Sequence, residues 1–359
     1  MASWRWSEDI ITAENVARGF FPLDQQLKVS GGQSENVSRL SVWLSGLVPF
    51  ERVAEILEQV GQMHCSRGTV WEKTKHWGER FQEIETEAQK RAGAIDMKNG
   101  VVPGEALENK RMGVSMDGGM INIRDEGWKE TKIGCVFEVK AGLEKDEQTG
   151  ENLEVGRATQ LTYVAHLGEP EPFGQKVWTE AKQRGWTKAA DTQVVADGAV
   201  WIWNLAQEHF YDSEQVVDWY HGKEHLCRAA ELLHGSGTPG MYKWLNEQET
   251  VLFQGHADEI AKKIYEQAQG RESQDELLRE AGYFERNHRR MDYLEMRIQG
   301  WVIGSGMVES GAKQFKARLA GPGMRWSRKG AERLLPIRSS ILSGRFNQVW
   351  VEAYSSPQI

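Results

Sequence analysis

Three acidic side chains in this sequence stand beside glycines, where strands or helices are predicted to end or begin. Asp197 follows the apolar run of VVADGAVWIWN at residues 194–204, and Asp117 lies late in the β-like run MGVSMDGGMI at residues 112–121. Glu309 lies in GSGMVESG, where glycines lead into a helical pattern. Ligands and catalytic groups collect at the carboxyl ends of strands in open α/β sheets. We therefore expect these three carboxylates to converge on divalent metal.

The chemistry expected of such a cluster is phosphoryl transfer. Carboxylate oxygens suit hard cations, and we expect two ions of Mg²⁺ or Mn²⁺. Two ions about 3.5–4 Å apart can hold the attacking and the leaving oxygen of a phosphodiester. Water or a DNA 3′-hydroxyl then serves as nucleophile, and we find no Ser/His or Cys/His arrangement to nominate. Taken alone, either aspartate also fits a turn before glycine, and Glu309 fits an acid favoured by a helix N-terminus.

A second motif offers a different chemistry. The run from His221 through Glu224 to His225 fits H-x-x-E-H, in which two histidines on one helix face bind zinc and the glutamate is the general base of a protease. No third zinc ligand is evident in the sequence. This alternative predicts zinc dependence and a requirement for His225 rather than Asp117.

The N-terminal part of the chain has the outline of a helix-turn-helix. Helix-like apolar spacing surrounds PFERVAEILEQVG, with Gly61 as a helix end and Ser66 as the N-cap of the next helix, RGTVWEKTKHWGERF. That second helix is basic and carries Lys73 and Lys75. The pair fits a DNA reader, and it equally fits two ordinary packed surface helices.

The hydrophobic period changes over residues 111–168, where three β-like runs are separated by turns, the second turn being an acidic loop over residues 141–156. Helix, strand, helix, strand and helix follow, which predicts a mixed α/β sheet. Residues 240–298 are polar and helical in pattern. Helices are predicted over residues 307–319, carrying Glu309, and over the final segment SRKGAERLLPIRSSILSG, which Pro336 is expected to kink.

Composition limits the class of protein. No apolar run approaches the roughly 18–20 residues that span a membrane, and no signal-peptide pattern is present, so no membrane partner is expected. Three widely spaced cysteines, Cys65, Cys135 and Cys227, indicate free thiols in a reducing cytoplasm and rule out a CxxC-type zinc site.

The charge distribution bears on nucleic-acid binding. The net charge of −8 argues against it at first sight. Residues 283–345, however, hold thirteen Lys and Arg against five Asp and Glu, a net +8 that leaves −16 for the remainder. A basic C-terminal third fits a phosphate-binding surface, and it also fits a merely solvated helix face.

Long motifs give the sequence a specific resemblance. It resembles bacterial insertion-sequence transposases of the DDE class, of the ISKra-type group, from about residue 20 to about residue 346. The matching motifs are SMDGGM, VADGAVWIWN, DWYHGKEHL, GSGMVESGAKQFKARLAGPGMRWS and, near the start, FFPLDQQL. The resemblance implies an RNase H-like core, Mg²⁺-dependent strand cleavage and joining, and a helical insertion before the catalytic glutamate. The family's acidic triad falls on Asp117, Asp197 and Glu309.

The resemblance also gives roles to other residues. Asp218 and His221 match the D-x-x-H signature of several transposase superfamilies, so His221 is expected to contact the scissile phosphate or orient a ligand. The alternative is a helix cap and a core histidine. Most of the tryptophans are expected to be core or packing residues, but Trp301 and Trp326 lie near Glu309 and among Lys and Arg in the sequence, so one of them would stack on a base flipped or frayed at the transposon end. The DNA-binding residues are expected to be Arg318, Arg325, Trp326, Arg328, Lys329, Lys73 and Lys75.

The sequence thus predicts an α/β protein with an RNase H-like mixed-sheet core, preceded by an all-α helix-turn-helix-like region. The partners would be double-stranded DNA, both transposon ends and target, and further copies of the chain in a homodimer or higher oligomer, in the cytoplasm at the nucleoid. A domesticated DNA-binding protein without cleavage is the alternative. The predicted regions are 1–105 for DNA binding, 106–235 for the first part of the core, 236–300 for the insertion, 301–345 for the catalytic glutamate helix and basic segment, and 346–359 for the tail.

Overall fold

The computed structural model describes residues 29–30, 33–99, 107–145 and 152–355, so FFPLDQQL lies outside the described residues. The strands are β1 (Val29–Ser30), β2 (Gln33–Ser34), β3 (Leu107–Ile123), β4 (Gly127–Lys145), β5 (Asn152–Leu167), β6 (Ala189–Ala196) and β7 (Glu214–Val217). The α-helices are α1 (Glu35–Ser45), α2 (Phe50–Gly61), α3 (Arg67–Asn99), α4 (Pro170–Gln183), α5 (Val200–His209), α6 (Trp219–His234), α7 (Pro239–Phe253), α8 (Ala257–Ala268), α9 (Gln274–Asn287), α10 (Tyr293–Ile298), α11 (Gly306–Leu319), α12 (Arg328–Leu342) and α13 (Phe346–Ser355). Two short 3₁₀ helices cover Trp186–Lys188 and His288–Arg290.

A five-stranded mixed sheet in the order β5-β4-β3-β6-β7 lies at the centre of the fold. The meander β3-β4-β5 is antiparallel, whereas β6 pairs parallel with β3 and β7 pairs parallel with β6. Parallel neighbours require crossover connections, and α4 and α5 supply them. The predicted mixed α/β sheet is confirmed, and its topology is compatible with an RNase H-like core.

Side-chain alternation decides which helix meets which face of the sheet. Tyr163 on β5 lies opposite Cys135, and its hydroxyl donates to the carbonyl of Met307 in α11. The adjacent Val164 and its partner Gly134 point the other way, since a Cβ on Gly134 would meet Val177 in α4. Helices α4 and α11 therefore cover opposite faces, and the buried side chains of sheet and helices form one continuous core.

One predicted element boundary was wrong. Residues 141–156 do not form one long loop, because the β4–β5 ladder continues through the pairs from Ala141↔Gly156 to Lys145↔Asn152. Main-chain hydrogen bonds stabilise such a ribbon even where its side chains are polar. The helix that begins at Arg67 runs for 33 residues to Asn99 and packs along α12.

The N-terminal region consists of α1–α3 together with the two-residue strands β1 and β2, which pair antiparallel. Ser66 caps α3 as predicted, since its hydroxyl accepts the Thr69 amide at 3.1 Å. A small separate cluster of buried side chains joins α2 to α3: Val53, Leu57, Cys65 and Val70. The helix α12 continues through Pro336. No helix in the described part of the chain is long and apolar enough to cross a membrane.

Candidate active site

Strand pairing aligns the two aspartates of the predicted triad. The parallel ladder of β3 and β6 pairs Val114 with Val194, so Asp117 and Asp197, each three residues further on, occupy equivalent positions. Asp197 directly follows the end of β6, whereas Asp117 lies within β3, which continues to Ile123. Both carboxylates accept a nearby backbone amide. The Gly118 amide donates to Asp117 Oδ1 at 2.6 Å, and the Ala199 amide donates to Asp197 Oδ1 at 2.8 Å.

The pKa of Asp117 depends on its burial and on the charges around it. Burial raises the pKa of Asp117, and the negative charges of Asp197 and Glu309 raise it further. The Gly118 amide hydrogen bond and the positive His221 act in the opposite direction without cancelling the rise. Asp197, Glu309 on α11 and His221 on α6 are therefore close enough to Asp117 for their charges to act on it.

Asp218 lies at the end of the third parallel strand. Because β7 pairs Val217 with Ala196 of β6, Asp218 occupies the position next to Asp197. It is fully buried, and its side chain is the N-cap of α6, accepting the His221 amide at 2.8 Å. Its Oδ2 accepts the backbone amide of Ser305 in a short hydrogen bond. Asp218 thus joins the start of α6 to the loop before α11.

His221 and Glu309 complete this cluster. Asp218 Oδ1 lies 3.2 Å from His221 Nδ1, and the Ser305 hydroxyl donates to Glu309 Oε1 at 3.0 Å. Ligand atoms of Asp218, His221 and Glu309 all lie within 4.8 Å of one another. Three side chains at this spacing could hold one metal ion. From the sequence Asp218 was expected to have only a supporting role, although the apolar run ending at Val217 is the same signal that singled out Asp197.

The cluster contains one positive charge when no metal is bound. The hydrogen bond to Asp218, opposed by burial and helped by the charges of Asp218, Asp197 and Glu224, raises the pKa of His221 to about 9. Burial would raise the pKa of Asp218, but the hydrogen bonds from His221 and Ser305 outweigh it and the pKa is lowered. At neutral pH His221 is therefore an imidazolium ion paired with a carboxylate.

The zinc site predicted from H-x-x-E-H does not form. His225 Nδ1 lies 2.6 Å from Glu280 of α9, and the His225 ring stacks on Tyr283 with centroids 3.5 Å apart. The three-ligand group found among the described residues contains His221 but not His225. The two histidines are engaged by different partners because α9 packs against the middle of α6.

The predicted DNA-binding side chains are in different environments. Arg325 and Lys329 are exposed. Arg328 forms a bidentate ion pair with Glu126, in which Nε donates to Oε1 at 2.9 Å and Nη2 donates to Oε2 at 2.6 Å. On α3, Lys73 and Lys75 are partly buried, and Lys75 lies 3.8 Å from Glu72.

Two of the expected nucleic-acid contacts are not at the surface. Arg318 is only 2% exposed, and its Nε donates to the Ser45 carbonyl at 2.7 Å, so it is not a free surface contact. Trp301 is 4% exposed beneath the guanidinium of Arg111 and offers no face to a base. Trp326 is partly buried, and its indole nitrogen donates to the Leu319 carbonyl at 2.7 Å.

Comparison with known proteins does not identify a family for this chain. No protein-family model matches the sequence, and no curated protein matches it. Among solved structures, the Drosophila P element transposase strand transfer complex is similar at a TM-score of 0.31 and 10% identity, over 94% of this chain and 86% of that chain. A TM-score this low leaves the functional proposal to rest on the geometry of the site.

Proposed function

We propose that this protein is a DDE transposase that cleaves and joins DNA at the ends of its own insertion sequence. The observation that supports the proposal is the equivalent placement of Asp117 and Asp197 on the adjacent parallel strands β3 and β6, with the charge of Glu309 from α11 acting on Asp117. The possible ligands that lie within 4.8 Å of one another among the described residues are those of Asp218, His221 and Glu309. In this proposal the three carboxylates bind divalent metal. Asp218 and His221 flank them at the third strand end.

The donor set fits a hard cation. Burial and, to a smaller extent, the neighbouring carboxylates raise the pKa of Asp117, and a cation at this position would relieve the repulsion among these carboxylates. Oxygen ligands with a single imidazole beside them favour Mg²⁺ or Mn²⁺ over soft metals. When bound, such ions polarise the scissile phosphate and activate the attacking hydroxyl.

The protein's own groups would orient the substrate. His221, held by Asp218 as an imidazolium, can donate a hydrogen bond from its free Nε2 to a phosphate oxygen. Ser305 holds one oxygen of Glu309 and leaves the other for a ligand, although Lys313 lies 3.7 Å from Glu309 Oε2. We place the α2–α3 pair, Arg325 and Lys329 at the DNA, with two ends brought together by a dimer or larger assembly in the cytoplasm.

Cleavage of a labelled duplex carrying the element's own ends tests the proposal. Wild type is compared with Asp197→Asn and Glu309→Gln in Mg²⁺, Mn²⁺ and EDTA. Asp191→Asn is the matched control, because Asp191 lies at the opposite end of the same strand, is exposed and contributes only an ion pair with Arg111. We expect metal-dependent nicking by wild type and control, at least about 100-fold slower nicking by the two site variants, and unchanged DNA binding by all four.

Each other outcome has a clear meaning. Binding without cleavage by the wild type would favour the domesticated DNA-binding protein. Cleavage that persists in both site variants would refute the carboxylate assignment and direct attention to His221. Equal loss in Asp191→Asn would indicate general damage to the sheet rather than loss of a ligand.

A further inference from the structure

A basic cavity lies apart from the acidic cluster, between the N-terminal helices α2 and α3 and the loop that follows α11. Its volume is about 750 Å³, within the range of ligand-binding clefts. Its lining includes the side chains of Arg67, Trp71, Lys75, Arg124, Arg318, Arg325 and Arg333.

The charge of the lining is far from the protein average. Six Arg and Lys side chains line the cavity against one carboxylate, Glu51, in a chain with a net charge of −8. Arg67, Arg124 and Arg325 are exposed, and in the described part of the chain none of them has an ion-pair partner. Lys75 and Arg333 pair with Glu72 and Glu79 outside the cavity lining, so the three exposed arginines keep the concave surface positive. Such a surface attracts polyanions.

Arg318 is an independent sign that the cavity suits an anion. It is 2% exposed and lines the cavity, and its Nη2 is buried with no hydrogen-bond partner among the described residues. Burial, with a smaller contribution from Arg338, lowers its pKa to about 10, so the guanidinium stays charged at neutral pH. A buried charge without a hydrogen-bond partner is costly, and a polyanion in the adjoining cavity would offset it.

An exposed aromatic ring stands among these cations. Trp71 is 45% exposed, and the Lys75 ammonium lies 5.5 Å from its ring centre. Trp326, by contrast, is packed against Arg318 and Phe50 and forms the wall of the cavity. An exposed ring beside cations suits a nucleobase with a free face. Paired bases present edges rather than faces, so this ring favours an unpaired nucleotide.

Backbone hydrogen bonds join the wall of the cavity to the end of the strand that carries Asp117. The Arg124 amide donates to the Trp326 carbonyl at 2.8 Å, and the Trp326 amide donates to the Asn122 carbonyl at 3.0 Å, so the loop extends strand β3, which carries Asp117. Glu309 and Arg318 share α11, where nine residues correspond to about 13 Å of rise. A strand lying in the cavity would pass within a few nucleotides of the carboxylates.

We propose that this cavity binds a single-stranded segment of nucleic acid, with phosphates on Arg67, Arg124 and Arg325, the charge of Arg318 beneath them and a base stacked on Trp71. The inference rests on the proposed function only in placing this segment beside the cleaved phosphate. Binding itself needs neither metal nor cleavage.

Fluorescence anisotropy in EDTA tests the proposal with a labelled 12-nucleotide single strand and the matching 12-base-pair duplex. The variants are Trp71→Ala, Arg124→Gln and Arg325→Gln. The control is Arg279→Gln, an exposed arginine on α9 far from the cavity in sequence and fold. Melting temperatures within about 2 °C of wild type show that the variants are folded.

We expect Trp71→Ala to weaken single-strand binding about ten-fold and duplex binding much less, because only an unpaired base stacks. Each cavity arginine variant should weaken binding several-fold and lower the salt dependence by about one counterion, whereas Arg279→Gln should bind as wild type. Unchanged single-strand affinity in all three variants, or equal losses for strand and duplex in Trp71→Ala, would overturn the proposal. Asp197→Asn separates the two proposals, since it abolishes cleavage if the proposed function is correct but leaves this binding intact.

Discussion

Replacing Asp218 with asparagine should remove a large part of the protein's stability without changing the shape of the side chain. Asp218 is fully buried and accepts hydrogen bonds from the amides of His221 and Ser305 and from the His221 ring. Asparagine can still cap α6, but it lacks the negative charge that faces the His221 imidazolium. Its amide NH₂ group is also a donor, and it would face one of the N–H groups that the carboxylate accepts from. Hydrogen bonds to a buried charge contribute about 1.5–3 kcal/mol each, so we expect a loss of about 3 kcal/mol.

The same substitution should change how stability depends on pH. His221 has a pKa of about 9 in the folded protein against an ordinary value of 6.5. A pKa raised by folding gives stability that is complete below pH 6.5 and is lost as the pH rises through 9. Because the His221 side chain is 33% exposed, solvent screening reduces the effect, and we expect the wild type to lose about 1–2 kcal/mol over this window. Asp218→Asn should show no such loss.

Urea unfolding at pH 6 and pH 9 in EDTA measures both effects, with NMR titration of His221 as a direct check on its pKa. Asp292→Asn is the control, because Asp292 is also an aspartate N-cap, but it is exposed at the start of α10. It should cost less than about 0.5 kcal/mol and keep the pH dependence. If Asp218→Asn costs less than about 1 kcal/mol and retains the pH dependence, the assignment of Asp218 as the anchor of this cluster is wrong.

Two further predictions concern other parts of the fold. Gly78→Ala should lower the free energy of unfolding, measured by chemical denaturation, by about 2 kcal/mol, because the new Cβ would lie 2.6 Å from the backbone oxygen of Arg333. Gly93→Ala in the same helix is the control: its Cβ would meet no atom within 4 Å, and the substitution should stabilise the protein by about 0.5–1 kcal/mol. Equal effects of the two substitutions would contradict the close packing of α3 on α12. Burial, with the charges of Lys176, Lys132 and Arg328, lowers the pKa of His166 to about 4, and a pKa lowered by folding costs stability as the pH falls from 6.5 to 4. Unfolding measured across that range should show a loss of about 1–2 kcal/mol that His166→Gln removes, and an equal loss in the variant would refute the assignment.

The local sequence determined the order of the elements. Apolar runs of strand length, the 3.6-residue period of the helices and the Ser66 cap depend on neighbours within one turn or one strand. The same local signals indicated that Asp197 directly follows a buried strand, as the end of β6 at Ala196 shows. Asp117 lies within β3 instead, because the antiparallel ladder with β4 continues that strand to Ile123. The sheet and the position of Asp197 were therefore accessible to sequence reasoning.

Only the tertiary structure decided which polar groups meet. The pairing of β7 with β6 placed Asp218 beside Asp197, and the packing of α9 on α6 engaged His225 with Glu280, since both depend on contacts between residues distant in sequence. Arg318 was a plausible surface cation in the sequence, yet its guanidinium is buried against the Ser45 carbonyl, 273 positions away. Charge and periodicity specify that a side chain is polar, whereas long-range packing decides whether it faces solvent, a partner or a cavity.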